Sequence, residues 1–462
     1  MKMITRRGLF LLILIVGFLG GLGFMSYSLV TEGSSWAMQP YNGSIYRNGE
    51  LIAEGEISDV NGEVLAQTVD GERVYNENDD VRKATLHAVG DTMGFISTGV
   101  QNVYESRLVG YNPLNGIYSI TRNGSGNDMS LTIDAHVCEV AYDALSDYKA
   151  GCVGVVNYKT GDIVCMVSTP AYDPVNKPGD IDTNDYYEGV YINRLLTGMY
   201  TPGSTFKLVT AICAIENIPD INTRTFTCEG EYDAGGTPIE CNGYHGEITF
   251  EEALAKSCNS AFAQIAIELG PDKIMETAKS LGMTEEVLVS GDIRSATGKM
   301  FLESGDANDY VGWTGIGQGD TLLPPVAMLR LSAAIANNGN AVSFNLVDTF
   351  ANKAGKALDM SISTRETQLL STQTAEQMKS MMRYAVENQY GDYNYEGLSL
   401  CAKSGTAQID GDTDHNTAWF TGFMNDSNNP YAFVVVVEYG GSGSQTAGPI
   451  ANRVLQALVN GE

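Results

Sequence analysis

Apolar residues fall along this chain in several textures, and each predicts a different kind of element. Residues 9–30 run for 22 positions without a charge, long enough for a helix to cross a bilayer. Residues 31–130 break into short alternating runs rich in Gly, Asn and Asp. Asn48-Gly49-Glu50-Leu51-Ile52-Ala53 is echoed thirteen positions later by Asn61-Gly62-Glu63-Val64-Leu65-Ala66. Asn-Gly between alternating residues is a hairpin turn signal, so this stretch reads as a small β-rich module.

Near residue 131 the texture changes. Val137, Val140, Ala141, Ala144 and Leu145 keep helical spacing after Asp134, a fitting cap. Two β-rich runs, 152–158 and 163–168, are joined by Lys159-Thr160-Gly161-Asp162 and should pair antiparallel. Three more strands are expected far downstream, over 398–408, 417–424 and 431–439. The last holds Phe433-Val434-Val435-Val436-Val437, a run that implies burial on both faces. Between the two groups the pattern is mostly helical. Thr249-Phe250-Glu251-Glu252 is a capping-box pattern. Further helices are expected over 260–269, stopped by Gly270-Pro271, and over 322–337 and 374–388. A final helix starts near Pro449 and carries Ile450, Val454, Leu455 and Leu458 on one side. The predicted fold is α+β: one five-stranded antiparallel sheet flanked by helices, beside an all-α lobe. A cleft is expected between lobe and sheet.

Composition narrows the function. The 462 residues carry a net charge of −28, and such a chain gains nothing from counterion release on nucleic acid. Lys2, Arg6 and Arg7 precede the apolar run and Glu32 follows it, which predicts a cytoplasmic tail over 1–8 and an anchor over 9–30. A cleaved signal peptide is the competing reading, but its apolar region would be shorter. Cys138, Cys152, Cys165 and Cys213 sit in apolar periodic segments and read as buried thiols. Cys228 and Cys241 flank a Gly-rich loop and either bridge or stay free, since spacing does not fix connectivity. No Cys/His cluster has zinc spacing, and His87, His136, His245 and His415 read as structural or surface histidines. No metal and no cofactor is therefore expected.

Candidate chemistry begins at Tyr200-Thr201-Pro202-Gly203-Ser204-Thr205-Phe206-Lys207. Pro202 and Gly203 mark a helix start, and Leu208, Val209, Ala211 and Ile212 make that helix a buried one. Ser204 and Lys207, three apart, share a face. Burial would lower the amine's pKa, as a lysine general base requires. Lys256-Ser257-Cys258-Asn259 reads as a tight turn between helices that aims Ser257 and Asn259 into one space. On the first late strand, Lys403-Ser404-Gly405-Thr406 alternates Lys403 and Gly405 on one face with Ser404 and Thr406 on the other. Gly405 is expected to let a ligand's backbone approach closely. Each motif alone is common: Ser-x-x-Lys as a surface pair, Ser-x-Asn as a helix break, Lys-Ser-Gly-Thr as an exposed edge.

Together they are specific. Ser-x-x-Lys, Ser-x-Asn 53 residues later and Lys-Ser-Gly-Thr another 146 on match the trio of penicillin-binding proteins and class A β-lactamases. The chain resembles a class B penicillin-binding protein over roughly 130–462. Asn193-Arg194 and the stretch 200–207 are similar to the family's nucleophile segment. Ile316-Gly317-Gln318-Gly319 with Pro324-Pro325 and Ala336-Asn337-Asn338-Gly339 also resembles a recurring family stretch. Over 40–66 the match is partial. The resemblance implies a penicillin-binding transpeptidase domain over 131–462, behind a pedestal-like module over 31–130. It implies Ser204 as nucleophile, Lys207 as base, Ser257 as proton shuttle and Asn259 as a hold on the substrate amide. It also implies that Lys403, Ser404, Gly405 and Thr406 bind the donor peptide, with Lys403 lowering the pKa of Lys207. Implied partners are peptidoglycan stem peptides, β-lactams and a membrane glycan polymerase of the SEDS type. A D,D-carboxypeptidase shares every motif, and a non-catalytic β-lactam sensor or scaffold is the reading from another class. Trp313, Tyr310 and Gln318 either line the groove or pack, and Cys258 and Cys401 read as packing residues.

Overall fold

The structure, a computed structural model, describes residues 6–461 apart from 40, 43–44, 48–49, 52–53, 112–125, 353–354, 359–365 and 410–411. Its organising element is the expected five-stranded sheet. Strands β1 (Ala150–Asn157), β2 (Ile163–Thr169), β3 (Leu400–Ile409), β4 (Asp412–Met424) and β5 (Tyr431–Glu438) lie in the order β3-β4-β5-β1-β2. Every pair is antiparallel. The valine run puts β5 at the centre: Val435 faces Phe420 of β4 on one side and Val153 of β1 on the other. Six of its eight residues are buried, as a strand covered on both faces requires. β3 is left at the edge, where one side of its backbone is open to whatever packs beside it.

The longer helices among the described residues include α1 (Arg6–Ala37), α2 (Ala135–Leu145), α3 (Lys207–Asn217), α4 (Asn259–Ser280), α5 (Pro325–Ala336), α6 (Thr372–Ala385) and α7 (Gly448–Asn460). Helices α2 and α7 pack on each other and cover β2 and β5, the flanking pair the pattern predicts. On the opposite face α5 lies against β4 and β5. It is largely apolar and buried in eleven of its twelve residues, and it also packs on α6, so it joins the sheet to the lobe of α3, α4 and α6. Its Ser332 hydroxyl meets Thr421 Oγ1 of β4 at 2.9 Å in the interior, which satisfies both groups.

Boundaries differ from the pattern for local reasons. Thr249 and Glu252 form the predicted capping box. Gly270 does interrupt α4, at φ 76° and ψ 163°, but the helix resumes at once because proline is tolerated in a first turn. The helix expected over 322–337 starts only at Pro325, since Pro324 is extended.

Before the sheet, α1 presents Leu9, Phe10, Leu11, Ile13, Phe18 and other apolar side chains outward. It is long and apolar enough to cross a membrane. The following region holds a small pair, Tyr46–Arg47 with Glu50–Leu51, and the strands Ile57–Ser58, Val64–Val69, Glu72–Tyr75 and Asp128–Leu131. Asn61-Gly62 lies in the turn joining Ile57–Ser58 to Val64–Val69, with Gly62 at φ 82°. The Asn48-Gly49 turn lies outside the described residues. The last four of these strands belong to a six-stranded sheet completed by Val347–Ala351 and Ala357–Leu358, a closure across more than 200 residues that local periodicity cannot foresee. Short helices over 79–108 also make the region less purely β than its texture.

Candidate active site

Ser204 stands in a tight turn, Gly203–Phe206, that leads directly into α3. Several contacts hold that turn. Trp419, fully buried on β4, donates its indole N–H to the carbonyl of Thr201 at 3.1 Å. Gly203 N–H reaches the carbonyl of Gly317 at 2.9 Å, and the Thr205 hydroxyl caps the carbonyl of Pro202 at 2.7 Å. Gly203 has φ 52°, and a Cβ there would lie 2.8 Å from the carbonyl oxygen of Thr406 on β3. Only glycine suits both the conformation and this approach. Behind the turn, Leu208, Val209, Ala211 and Ile212 are fully buried, each larger side chain contributing about 1.5–3 kcal/mol.

Lys207 is buried completely and its ammonium is the hub of the site. Nζ lies 3.1 Å from Ser204 Oγ, 3.2 Å from Ser257 Oγ, 2.7 Å from the Ser257 carbonyl and 2.6 Å from Asn259 Oδ1. Ser257 holds a left-handed backbone, φ 54°, which turns its carbonyl and hydroxyl the same way. Lys403 is equally buried; its Nζ reaches Ser257 Oγ at 2.9 Å and the Ser404 carbonyl at 2.7 Å. The three motifs therefore meet around one hydroxyl, that of Ser257.

Among the described residues neither lysine has a carboxylate partner. Burial brings Lys207 down to about 7. Burial, and then the charge of Lys207, push Lys403 well below the ordinary lysine range. That repulsion is mutual, since both amines share Ser257 Oγ, and burial is the larger cause for each.

The cleft beside Ser204 holds about 400 Å³ and is lined by Ser204, Ser257, Asn259, Ser404 and Thr406, among others. Trp313 and Gln318 line it too, and they continue into a larger cavity of about 1140 Å³ that also exposes Tyr310. Strand alternation separates the side chains of Lys403-Ser404-Gly405-Thr406 as expected. Ser404 and Thr406 line the cleft, whereas Lys403 is buried and meets two of its lining residues, Ser257 and Ser404. Gly405 does not make room for a ligand as expected. A Cβ there would come within 2.9 Å of Thr205 Cγ2 and 3.0 Å of the Pro202 carbonyl, so the space admits the protein's own nucleophile turn. Tyr390, missed by motif reading, receives the Ser404 N–H and hydroxyl on its phenol oxygen, each at 3.1 Å.

The cysteines divide as well. Cys138, Cys152, Cys165, Cys213 and Cys401 are buried free thiols. Cys228 and Cys241 are not bridged. They instead converge with Cys258 and His245, all four donor atoms within 4.8 Å of one another. Such a set can hold a metal ion, and the separations C-x12-C-x3-H-x12-C gave no zinc signal because turns and paired strands, not local spacing, bring it together. His87 is a buried structural histidine, bonded to the Val190 carbonyl at 2.8 Å and held neutral by burial, with its pKa down to about 4.

Comparisons with known proteins converge on this region. The family described as "Penicillin binding protein transpeptidase domain" matches residues 151–456. The peptidoglycan D,D-transpeptidase PbpA of Mycolicibacterium smegmatis is 27% identical over 410 residues, covering 80% of this chain and 81% of its own. Penicillin-binding protein A from M. tuberculosis, solved as a ceftriaxone acyl-enzyme complex, superposes with a TM-score of 0.77 at 24% identity, covering 87% of this chain and 98% of that one. The D,D-transpeptidase domain of a peptidoglycan glycosyltransferase from Eggerthella lenta gives 0.75 at 25% identity, covering 88% and 98%.

Proposed function

The chain belongs to the penicillin-binding protein transpeptidase family, and on that premise we propose that it is a class B member, a membrane-anchored peptidoglycan D,D-transpeptidase that β-lactams acylate. The observation that carries this reading is the position of Lys207 Nζ, within hydrogen-bond distance of Ser204, Ser257 and Asn259 at once.

Serine is a weak nucleophile until a base takes its proton. Lys207, brought to about 7 by burial, is that base at neutral pH. Ser204 Oγ attacks the carbonyl between the two D-alanines of a stem peptide as its proton passes to Lys207. The developing oxyanion is received by the backbone N–H groups of Ser204 and Thr406. The contact of Gly203 with the Thr406 carbonyl supports their closeness, and one such donor is worth about 100- to 1000-fold in rate. The C–N bond then breaks, and the terminal D-alanine leaves with a proton relayed through Ser257. Lys403, bonded to Ser257 Oγ, orients that hydroxyl. Asn259 holds Lys207 and the donor amide, while Ser404 and Thr406 hold the terminal carboxylate. An amine of a second stem peptide attacks the acyl-serine, forms the new amide and releases Ser204. A β-lactam imitates the donor's end and stops at the acyl-enzyme.

The same reading assigns 131–462 to the catalytic domain, 31–130 to a pedestal and α1 to a single-pass anchor. The charges of Lys2, Arg6 and Arg7 before the apolar run support a cytoplasmic N-terminus. The family resemblance supports a SEDS-type glycan polymerase as partner through α1 and the pedestal.

The test uses the full chain in detergent with a fluorescent penicillin, beside Ser204→Ala. Wild type should label and the variant should not; equal labelling removes Ser204 as nucleophile. With a donor pentapeptide and an acceptor amine supplied, a cross-linked dimer is expected. Release of D-alanine without dimer would make the protein a carboxypeptidase instead.

A further inference from the structure

Beside the Ser257 turn lies a group of side chains that acyl transfer does not use. Cys228 ends the strand Thr225–Cys228, which pairs with Gly246–Thr249 so that Cys228 faces Gly246, the neighbour of His245. Cys241 follows the small hairpin of Glu231–Tyr232 and Ile239–Glu240. Cys258 sits between Ser257 and Asn259 and caps the start of α4. The four donor atoms lie within 4.8 Å of one another. Cys241 Sγ is 3.8 Å from Cys258 Sγ and 3.7 Å from His245 Nδ1.

These separations have a chemical meaning. Thiolates about 2.3 Å from a tetrahedral Zn2+ stand about 3.8 Å apart, and a thiolate–imidazole edge is slightly shorter. A disulfide would use two of the sulfurs and leave the third and the imidazole with no common purpose. The surroundings also suit thiolates. Asn259 donates its backbone N–H to Cys241 Sγ at 3.2 Å, and Ala261 donates to Cys258 Sγ at 3.4 Å. Such donors are the outer shell that orients metal ligands. Three thiolates and one imidazole fill a closed tetrahedral set, the kind that builds structure and keeps no open position for chemistry.

We propose that Cys228, Cys241, His245 and Cys258 bind one Zn2+ ion, and that this ion fastens the 228–245 loop to the turn carrying Ser257 and Asn259. Binding releases the thiol protons to solvent and changes no oxidation state. The loop already touches the turn: Asn259 Nδ2 donates to the Glu240 carbonyl at 2.8 Å and Asn242 Nδ2 to that of Lys256 at 3.2 Å. Glu240, Cys241 and Asn242 line the same cleft as Ser204. The ion therefore sets one wall of the cleft and the backbone that aims two of its polar groups. This consequence for acylation rests on the transpeptidase reading; the binding of the ion does not.

The full chain, purified in detergent without chelator, should carry one zinc per molecule by elemental analysis. Co2+ added to metal-stripped, reduced chain should give the absorption of a tetrahedral thiolate site. Cys241→Ser and His245→Ala should lose the ion, His245→Cys should keep it, and Cys401→Ala, outside the cluster, should keep it too. Stripping should slow labelling by a fluorescent penicillin about 10- to 100-fold, with recovery on adding Zn2+. Wild type without zinc and without the cobalt spectrum overturns the proposal, as does a disulfide among these cysteines in non-reducing peptide maps. Zinc bound at unit stoichiometry in a chain that never labels would sink the transpeptidase reading and leave the metal site standing; a labelled chain without zinc does the reverse.

Discussion

The nucleophile segment has two ends that treat a buried cation in opposite ways. At 194 the guanidinium is nearly buried and meets a carboxylate: Arg194 Nε donates to Glu438 Oε1 at 2.8 Å, and Tyr200 donates to the same oxygen at 2.7 Å. Its other nitrogens reach the carbonyls of Gly189 and Glu188. At 207 the ammonium is fully buried and, among the described residues, meets hydroxyl, amide and carbonyl oxygens and the face of Phe262 at 5.7 Å, but no carboxylate. The first arrangement keeps a charge and ties the segment to the sheet. The second makes the charge costly, so the proton leaves near neutral pH. Thirteen residues apart, one cation builds the fold and the other is readied for chemistry by the partner it lacks.

The largest break in this contrast is Lys207→Met. Acylation should fall by about 100- to 10,000-fold, the worth of a positioned base, measured as the rate of β-lactam labelling. The effect on folding should depend on pH, because methionine has no amine to deprotonate on burial while the Ser257 carbonyl and Asn259 Oδ1 lose a donor at every pH. The sign follows from titration. The folded value of Lys207, about 7, lies below its ordinary 10.5. The unfolded chain thus binds more protons between those values, and wild-type stability rises with pH across that window. The variant should lose that rise, as denaturant titrations at several pH values will report.

A subtler break restores the missing carboxylate. Asn259→Asp puts an anion where Oδ1 now stands, 2.6 Å from Lys207 Nζ. Lys207 should hold its proton to higher pH, so labelling near pH 7 should drop about 100-fold and recover in alkali. At the other end, Arg194→Met strands Glu438 and should cost about 2 kcal/mol of stability, with the pH midpoint of acylation unchanged. Least of all, Tyr390→Phe removes the oxygen that receives Ser404 and should weaken donor binding by about 0.5–1.5 kcal/mol, read as a higher KM with kcat nearly kept.

The sheet was legible because its signals are local. The valine run 433–437, the turn at 159–162 and the cap at Asp134 each decide an element within a few residues. The site was legible because three short motifs come in a fixed order. What stayed hidden depends on long-range closure. The strands Val347–Ala351 and Ala357–Leu358 complete a sheet begun near residue 57. Gly405 faces Thr205 and Pro202, which only the docked turn reveals. His245 and three cysteines converge through strand pairing and a helix cap. Nor does sequence show that both lysines are fully buried and share one partner, Ser257, since that depends on how the three motifs dock.

The most direct measurement is the pH profile of Ser204 acylation by a β-lactam in the full chain, from about pH 5 to about pH 10. Acylation should rise with pH and reach half its limit close to Lys207's value of about 7. A rate flat across neutrality, or one that climbs only near the ordinary lysine value of 10.5, would mean that Lys207 is not the base.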